Sequence, residues 1–300
     1  MSQRPFAQID VFTATATLGN PVAVVLDGSG LDDAALQRFA RWTNLSETTF
    51  VLPPTDPAAD YRLRIFTPGG ELPFAGHPTL GSCFAWLAAG GRPQRADRIV
   101  QQCAKGLIEI RRDGQRLAFA APAMQASAPA PSVLAKVAAA LGLPAVQVCQ
   151  ARLLDNGPQW LTLLLDSADT VLALEPDHAQ LANLKQKVGV VGVYTQDEAT
   201  SLIAKSSREA RAFGTPADAP LIEVRAFAAP IGVPEDPVTG SLNASLAQWL
   251  IGAGELPAAY VAAQGTALGR AGRVHVTRDA AGQVWVGGDC VGCIEGTVRL

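Results

Sequence analysis

Three side chains in this sequence have the chemistry to move a proton: Glu47, His77 and Asp236. Glu47 follows a predicted helix that ends at Asn44 and precedes the apolar run 50–52, so it belongs at the mouth of a strand. A closed apolar cleft disfavours the charged form of a carboxyl group, which raises its pKa and suits acid–base catalysis near neutrality. A solvated loop glutamate is the alternative interpretation of Glu47.

The other two candidates lie where glycine-started helices are predicted to begin. His77 stands between Gly76 and Pro78, and proline is favoured in the first turn of a helix. Capping or packing is its alternative role. Asp236 precedes Gly240, and its alternative role is to complement the positive end of the helix dipole.

These glycines belong to two copies of one pattern. Each copy has Arg-x-Phe, then a proline, a glycine three residues after it, and an apolar helix that ends in glycine. The copies span residues 64–91 and 225–254. We therefore expect one supersecondary unit written twice, with its two helix N-termini facing each other. Their free N–H groups and positive dipole ends would make an anion-binding cleft, in which Gly240 and Ser241 can donate to a carboxylate.

The surrounding sequence alternates like strands more often than like helices. Strands are predicted at 8–12, 22–26, 48–52, 61–66, 106–110, 115–120, 152–154, 161–165, 188–195, 200–205, 221–227, 284–286 and 291–298. Helices are predicted at 31–43, 80–87, 133–141, 176–187 and 244–251. One long helix among strands in each half predicts an α+β fold with mixed, largely antiparallel sheets rolled around central helices.

The repeat also predicts two similar domains. The N-terminal half-repeat covers residues 1–124 and is completed by a C-terminal strand at about 291–300. The C-terminal half-repeat covers 130–290, and the proline-rich stretch 121–132 between them is the predicted linker.

Composition excludes several classes of function. The chain has 300 residues, 48% of them hydrophobic and 17% charged, with a net charge of −3. Scattered basic residues argue against nucleic-acid binding, and no apolar run approaches a membrane span. The N-terminus has no signal-peptide pattern, and five cysteines at irregular positions are typical of reduced thiols in the cytoplasm. No dinucleotide-binding glycine motif is present, and Cys290-Val291-Gly292-Cys293 fits a strand better than a metal site.

As a set, four motifs resemble the phenazine biosynthesis PhzF-like family. They are Asn20-Pro21-Val22-Ala23-Val24-Val25, Ser46-Glu47-Thr48-Thr49-Phe50, Phe66-Thr67-Pro68 with Gly76-His77-Pro78-Thr79, and Glu235-Asp236-Pro237-Val238-Thr239-Gly240-Ser241. The later segment Gln264-Gly265 with Gly269-Arg270-Ala271-Gly272 looks like that family too, and the resemblance covers nearly the whole chain, in order. It implies a diaminopimelate-epimerase-like fold with the active site between two domains, in a homodimer that needs no cofactor and no metal.

The resemblance also implies roles for the candidates. Glu47 would be the catalytic acid/base, and His77 and Asp236 would hold the substrate and assist proton movement. The predicted substrate-binding residues are Asn20, Gly76, Gly240 and Ser241. The family's characterised reaction is the isomerisation of trans-2,3-dihydro-3-hydroxyanthranilate, which moves a hydrogen between ring carbons. Pro78 departs from the alanine that the family often has there, and it restricts the backbone next to the substrate.

Two other functions remain open from the sequence. Racemases and epimerases on this fold use two opposed cysteines at the paired helix tips, where this sequence has none. Cys83 lies about two turns inside the first helix, since each residue advances a helix by about 1.5 Å. The third hypothesis is a noncatalytic protein that binds a small carboxylate in the same cleft.

Overall fold

The computed structural model describes residues 2–194 and 219–300, which form 18 β-strands and six α-helices. The predicted strand at 200–205 and the last residue of the one at 188–195 lie outside these residues. Within the described part of the chain, every helix is too short or too polar to cross a membrane.

The first half of the chain follows the predicted order of elements closely. Its strands are β1 (Gln3–Val11), β2 (Asn20–Val25), β3 (Glu47–Leu52), β4 (Tyr61–Thr67), β5 (Gly70–Leu72), β6 (Arg98–Cys103), β7 (Gly106–Asp113), β8 (Arg116–Ala120) and β9 (Gln125–Ser127). Its helices are α1 (Asp33–Thr43) and α2 (Gly76–Ala88). Strand β9 lies inside the stretch predicted as a linker, where it pairs with the first strand of the second half.

The second half differs from the prediction mainly in its short helices. Its helices are α3 (Pro131–Ala140), α4 (Ala168–Ala173), α5 (His178–Asn183) and α6 (Gly240–Gly252). Its strands are β10 (Val148–Asp155), β11 (Gln159–Leu165), β12 (Val188–Val193), β13 (Ile222–Ala228), β14 (Val233–Asp236), β15 (Ala259–Gln264), β16 (Gly272–Arg278), β17 (Val284–Gly288) and β18 (Cys290–Arg299). The predicted helix 176–187 was too long: the helix ends at Asn183, and Lys185 then adopts a left-handed φ of 52°.

Strand pairing repeats between the halves. In the first half β1–β2 is antiparallel, β2–β3 parallel and β3–β4 antiparallel; β10–β11, β11–β12 and β12–β13 follow the same sequence. The C-terminal strand β18 pairs with β1, as the repeat requires if the last strand completes the first half. Pairs β8–β17 and β9–β10 join the two halves into a continuous sheet. The predicted mixed sheets are confirmed.

Helices α2 and α6 are the central helices of the two halves. Both are apolar on nearly all sides, and almost every residue of α6 is buried. A helix that is apolar all round is stable only inside a protein, because it has no face to offer to water. Helix α2 packs on β1, β2 and β3, and α6 packs on β16 and β17.

Each half carries the same arginine clamp between two neighbouring strands. Arg64 of β4 binds Glu71 of β5 through two hydrogen bonds of 2.7 and 2.6 Å, and Arg225 of β13 binds Glu235 of β14 at 2.9 and 2.8 Å. Each guanidinium also lies over the phenylalanine of its Arg-x-Phe motif. The repeated sequence motif thus makes the same contacts twice.

The two central helices meet at their first residues. A Cβ atom placed on Gly240 would lie 3.0 Å from the Gly76 Cα and 3.2 Å from the His77 nitrogen. Only glycine leaves room for this approach, so the helix tips are in backbone contact. The predicted facing of the two helix N-termini is confirmed.

We expect the two clamps to differ in their effect on stability. The second clamp is buried, with side chains 5% and 6% exposed, whereas the first has 18% and 37%. Glu235→Gln leaves Arg225 charged and buried, so it should lower the free energy of unfolding by roughly 3–5 kcal/mol. Glu71→Gln is the matched control and should cost at most about 1 kcal/mol, because Arg64 is more exposed and retains Asp33. Urea denaturation measures both, and equal losses would contradict this.

We expect the helix-tip contact to tolerate no side chain. Gly240→Ala would press a methyl group on backbone atoms that cannot rotate away, and should cost roughly 1–3 kcal/mol. Gly252→Ala, at the other end of α6, is the control: it meets no atom within 4 Å. Helix propensity should leave that variant unchanged or more stable by up to about 1 kcal/mol. A Gly240→Ala protein as stable as the Gly252→Ala protein in thermal denaturation would refute the close contact.

Candidate active site

A cavity of about 240 Å³ lies beside the contact between the two helix tips. Its walls come from both halves of the chain. The apolar part is formed by Leu72, Pro73, Phe74, Ala75, Gly157, Pro158, Trp160, Ala228, Ile231 and Val233. The polar part is formed by Ser46, Glu47, Lys187, Asp236, Thr239 and Ser241. Ligand pockets usually span about 300–1,000 Å³, so this cavity suits a small molecule.

The side chains of Glu47 and His77 lie close together, and one polar atom of each has no hydrogen-bond partner among the described residues. Glu47 is the first residue of β3, as predicted, and His77 is the second residue of α2. The Glu47 Oε2 and His77 Nε2 atoms lie 3.5 Å apart, and each is buried without a hydrogen-bond partner among the described residues. Buried polar atoms normally have a partner, so two adjacent orphans are a feature typical of a site that a ligand completes.

Burial determines the protonation states of Glu47 and His77. Burial, and after it the negative charge of Asp236, raise the pKa of Glu47 to about 8, against the opposing effect of Lys187. Burial also lowers the pKa of His77 to about 3, against a hydrogen bond to the Pro21 backbone that raises it. At pH 7 the pair is therefore mainly a protonated carboxyl group beside a neutral imidazole, and not an ion pair.

Asn20 connects the two halves at the site. Its Nδ2 donates to Asp236 Oδ1 at 2.8 Å and to the Val238 carbonyl at 2.9 Å, and it lies 3.4 Å from His77 Nδ1. The Asn20 amide of the first half thus binds the end of β14 and the segment that leads into α6 in the second half. Sequence analysis predicted Asn20 as a substrate-binding residue, and the structure places it behind His77 and Asp236, outside the residues that line the cavity.

A second amide holds Asp236 from the other side. Gln264 donates from Nε2 to the Thr239 hydroxyl and to the Asp236 carbonyl, and the Thr239 hydroxyl donates to Asp236 Oδ2 at 2.6 Å. Burial raises the pKa of Asp236 to about 6, although the hydrogen bonds from Thr239 and Asn20 lower it. The Asp236 carboxylate is therefore fixed in orientation and is the more acidic of the two carboxyl groups.

The helix tips have free donors. Neither α2 nor α6 has a side-chain cap, so their first N–H groups are left for another partner. Ser241 lines the cavity, and its hydroxyl accepts a hydrogen bond of 3.3 Å from the Trp160 indole. Gly76 and Gly240 touch each other and are not among the lining residues, so contact between them and a substrate stays a prediction.

Two residues of the site, Lys187 and Gln264, were not predicted from the sequence as site residues. Lys187 was predicted as the end of a helix, but it lies directly before β12 and lines the cavity. Gln264 was noted only within a motif, although it supports Asp236 through Thr239. No spacing in the sequence marks Lys187, because it lies much farther from Arg225 than Glu47 lies from Arg64.

The arrangement can move a proton on a bound molecule. Glu47 can exist in both protonation states near pH 8, and Asp236 supplies a second carboxylate at the same cavity. Among residues 2–194 and 219–300, no three His, Cys, Asp or Glu side chains are grouped to hold a metal ion. The raised pKa values of Glu47 and Asp236 suit these two residues to general acid–base chemistry.

Two curated proteins are similar to this chain over its whole length. Antisense-enhancing sequence 1 of Schizosaccharomyces pombe is 37% identical, over 99% of both chains. Trans-2,3-dihydro-3-hydroxyanthranilate isomerase of Pseudomonas aeruginosa is 33% identical, over 98% of this chain and 99% of that protein.

Comparison with solved structures gives the same fold. The crystal structure of the Bacillus anthracis phenazine biosynthesis protein of the PhzF family covers 100% of both chains with a TM-score of 0.81 at 23% identity. The predicted two-domain, diaminopimelate-epimerase-like α+β fold is confirmed. The family model for phenazine biosynthesis-like proteins matches residues 9–296, and this chain therefore belongs to the PhzC-PhzF phenazine biosynthesis-like family.

Proposed function

We propose that this protein is a cofactor-independent isomerase that moves a proton on a small, carboxylate-bearing substrate. The reaction class comes from a relative that is named for the isomerisation of trans-2,3-dihydro-3-hydroxyanthranilate. A cyclic dihydro-hydroxyanthranilate is accordingly our proposed substrate class. We also propose the homodimer that the family resemblance implies.

One observation supports the proposal most directly: Glu47 presents an unpartnered, largely buried carboxyl group to the cavity. A buried carboxyl group with a pKa of about 8 holds or releases a proton at little cost near neutral pH. A structural carboxylate at this depth would instead be paired, as Glu235 is with Arg225.

In the proposed reaction, ionised Glu47 removes a proton from one carbon of the substrate. The electron pair left behind shifts through the conjugated ring, and protonated Glu47 returns the proton to a second carbon. No atom is gained or lost, so the step needs no co-reactant. Asp236 and His77 hold the substrate and assist: Asp236 lines the same cavity as Glu47, and His77, which is not a lining residue, has its Nε2 atom 3.5 Å from Glu47 Oε2.

The two-base racemase is the weaker candidate. It needs a proton carrier on each face of the carbon, and the fold's racemases use thiols there. Cys83 is completely buried within α2, and burial raises its pKa to about 12. A protonated, enclosed thiol is a poor base. Cysteines are also absent from the residues that line the cavity.

We expect Glu47→Gln to remove turnover while preserving the fold. The amide keeps the shape of the side chain but cannot exchange a proton, so the rate should fall by about 10²-fold or more. Conversion of trans-2,3-dihydro-3-hydroxyanthranilate in D₂O, followed by NMR, measures it. Cys83→Ala is the control and should keep its turnover. Near-normal turnover in the folded Glu47→Gln protein would end the assignment, and loss of turnover in the folded Cys83→Ala protein would favour the racemase.

We also expect Glu47 to make stability depend on pH. Between its ordinary pKa of 4.5 and about 8, the folded protein holds a proton on Glu47 that the unfolded chain releases. The stability that this proton contributes is present below pH 4.5 and is lost as the pH rises through 8. Relative to Glu47→Gln, the wild type should therefore lose up to about 4 kcal/mol between pH 5 and pH 9, since each unit of pKa shift corresponds to about 1.4 kcal/mol.

Denaturation of both proteins across this range is the measurement. Glu175→Gln, at an exposed glutamate, is the control for removal of a carboxyl group. Wild-type and Glu47→Gln curves that run parallel from pH 5 to pH 9 would show that Glu47 is already ionised in the folded protein at pH 5.

A further inference from the structure

Lys187 forms no salt bridge with the residues that the structure describes. It lines the cavity and is half-buried, yet its ammonium makes no hydrogen bond or ion pair with any residue that the structure describes. The ammonium faces the Trp160 ring, whose centroid lies 5.7 Å from Nζ. Burying part of a charge without a partner costs free energy, so this position calls for an explanation.

The internal repeat relates Lys187 to Glu47. In the first half, Thr48 of β3 pairs with Phe66, the phenylalanine of the first Arg-x-Phe motif. In the second half, Val188 of β12 pairs with Phe227, the phenylalanine of the second motif. Glu47 and Lys187 each precede the paired residue, so they occupy equivalent positions in the two halves. The proposed acid/base of the first half thus has a cation as its counterpart in the second half.

The charges around Lys187 agree with a role toward an anion. Burial lowers its pKa, while the nearby carboxyl groups of Glu47 and Asp236 raise it. Asp236 already accepts hydrogen bonds at both oxygens, from Asn20 and Thr239, and the structure gives neither carboxyl group a salt bridge with Lys187. The ammonium thus interacts electrostatically with both carboxyl groups without forming a salt bridge with either.

The neighbours of Lys187 are also donors. The Trp160 ring that faces the ammonium donates its indole N–H to Ser241, in the first turn of α6. This part of the cavity, formed by the C-terminal half, therefore combines a cation with the uncapped positive end of a helix, and Glu47 of the N-terminal half lines the same cavity. The cation and the helix end attract a negative group to the same part of the cavity.

We propose that Lys187 binds the carboxylate of the substrate by an ion pair and so turns the rest of the molecule toward Glu47. The inference rests on the proposed function for the identity of the substrate class. It adds a substrate-binding residue to the site and assigns the carboxylate to the wall formed by the C-terminal half.

The test compares Lys187→Gln with Lys185→Gln, which removes the same charge from an exposed position two residues earlier. Lys187→Gln should raise KM for trans-2,3-dihydro-3-hydroxyanthranilate by about tenfold or more and change kcat by less than about threefold, as expected for loss of one charge-assisted bond. Lys187→Arg, which keeps the charge, should restore most of the affinity. Lys185→Gln should match the wild type.

Calorimetry with benzoate and benzamide tests the same contact without turnover. The wild type should bind benzoate at least about tenfold more tightly than benzamide, and Lys187→Gln should lose this preference. No preference in the wild type would overturn the assignment. So would an unchanged KM in Lys187→Gln, or a fall in kcat alone, which would make Lys187 a counter-ion for the carboxyl groups.

The two proposals fail in different ways. Absence of turnover, with a benzoate preference that depends on Lys187, would refute the proposed isomerase and keep the anion site. Normal turnover, with Lys187→Gln indistinguishable from Lys185→Gln, would keep the isomerase and refute the role of Lys187.

Discussion

The backbone contact between Gly76 and Gly240 is the constraint on which the rest of the site depends. It fixes the distance between the two central helices, and it lets both helix N-termini open on the same side. Polar residues of the site adjoin this contact, because His77 follows Gly76, and Thr239 and Ser241 flank Gly240. The contact also explains why the repeat keeps glycine at these positions, independently of any ligand.

Around that contact, the protein holds ionisable groups where water cannot solvate them fully. The cost of burying Asp236 is offset by the hydroxyl of Thr239 and the amide of Asn20. Glu47 receives no such compensation, and burial keeps both Glu47 and His77 mainly neutral at pH 7. The site therefore separates a fixed, hydrogen-bonded carboxylate from a carboxyl group whose proton is exchangeable.

The sequence was sufficient to predict the central features of the fold. The two glycine-started helices were visible because proline, glycine and a uniformly apolar run mark a buried helix, and Glu47 was visible because a strand follows it directly. The short helices α4 and α5 could not be resolved in the same way, since six-residue helices carry too few positions for periodicity to show.

Other parts of the site depend on contacts that spacing does not encode. Lys187 reaches the cavity because the chain turns at Lys185, and a left-handed φ at a lysine has no clear sequence signal. The bonds from Asn20 to Asp236 and Val238 span more than 200 positions of the chain and arise only when the two halves come together. Local patterns can predict which residues stand at the N-termini of the central helices. They cannot predict which distant side chains form hydrogen bonds to those residues.

The two arginine clamps have a further consequence for how the cavity walls respond to salt. The clamp of the first half is partly in solvent and that of the second half is enclosed, although both tie a strand to the segment that enters a central helix. At physiological ionic strength, charges exposed to water are screened over about 8 Å, whereas enclosed pairs are screened much less. Added salt therefore weakens the support of the wall leading to α2 and leaves the wall leading to α6 nearly unaffected.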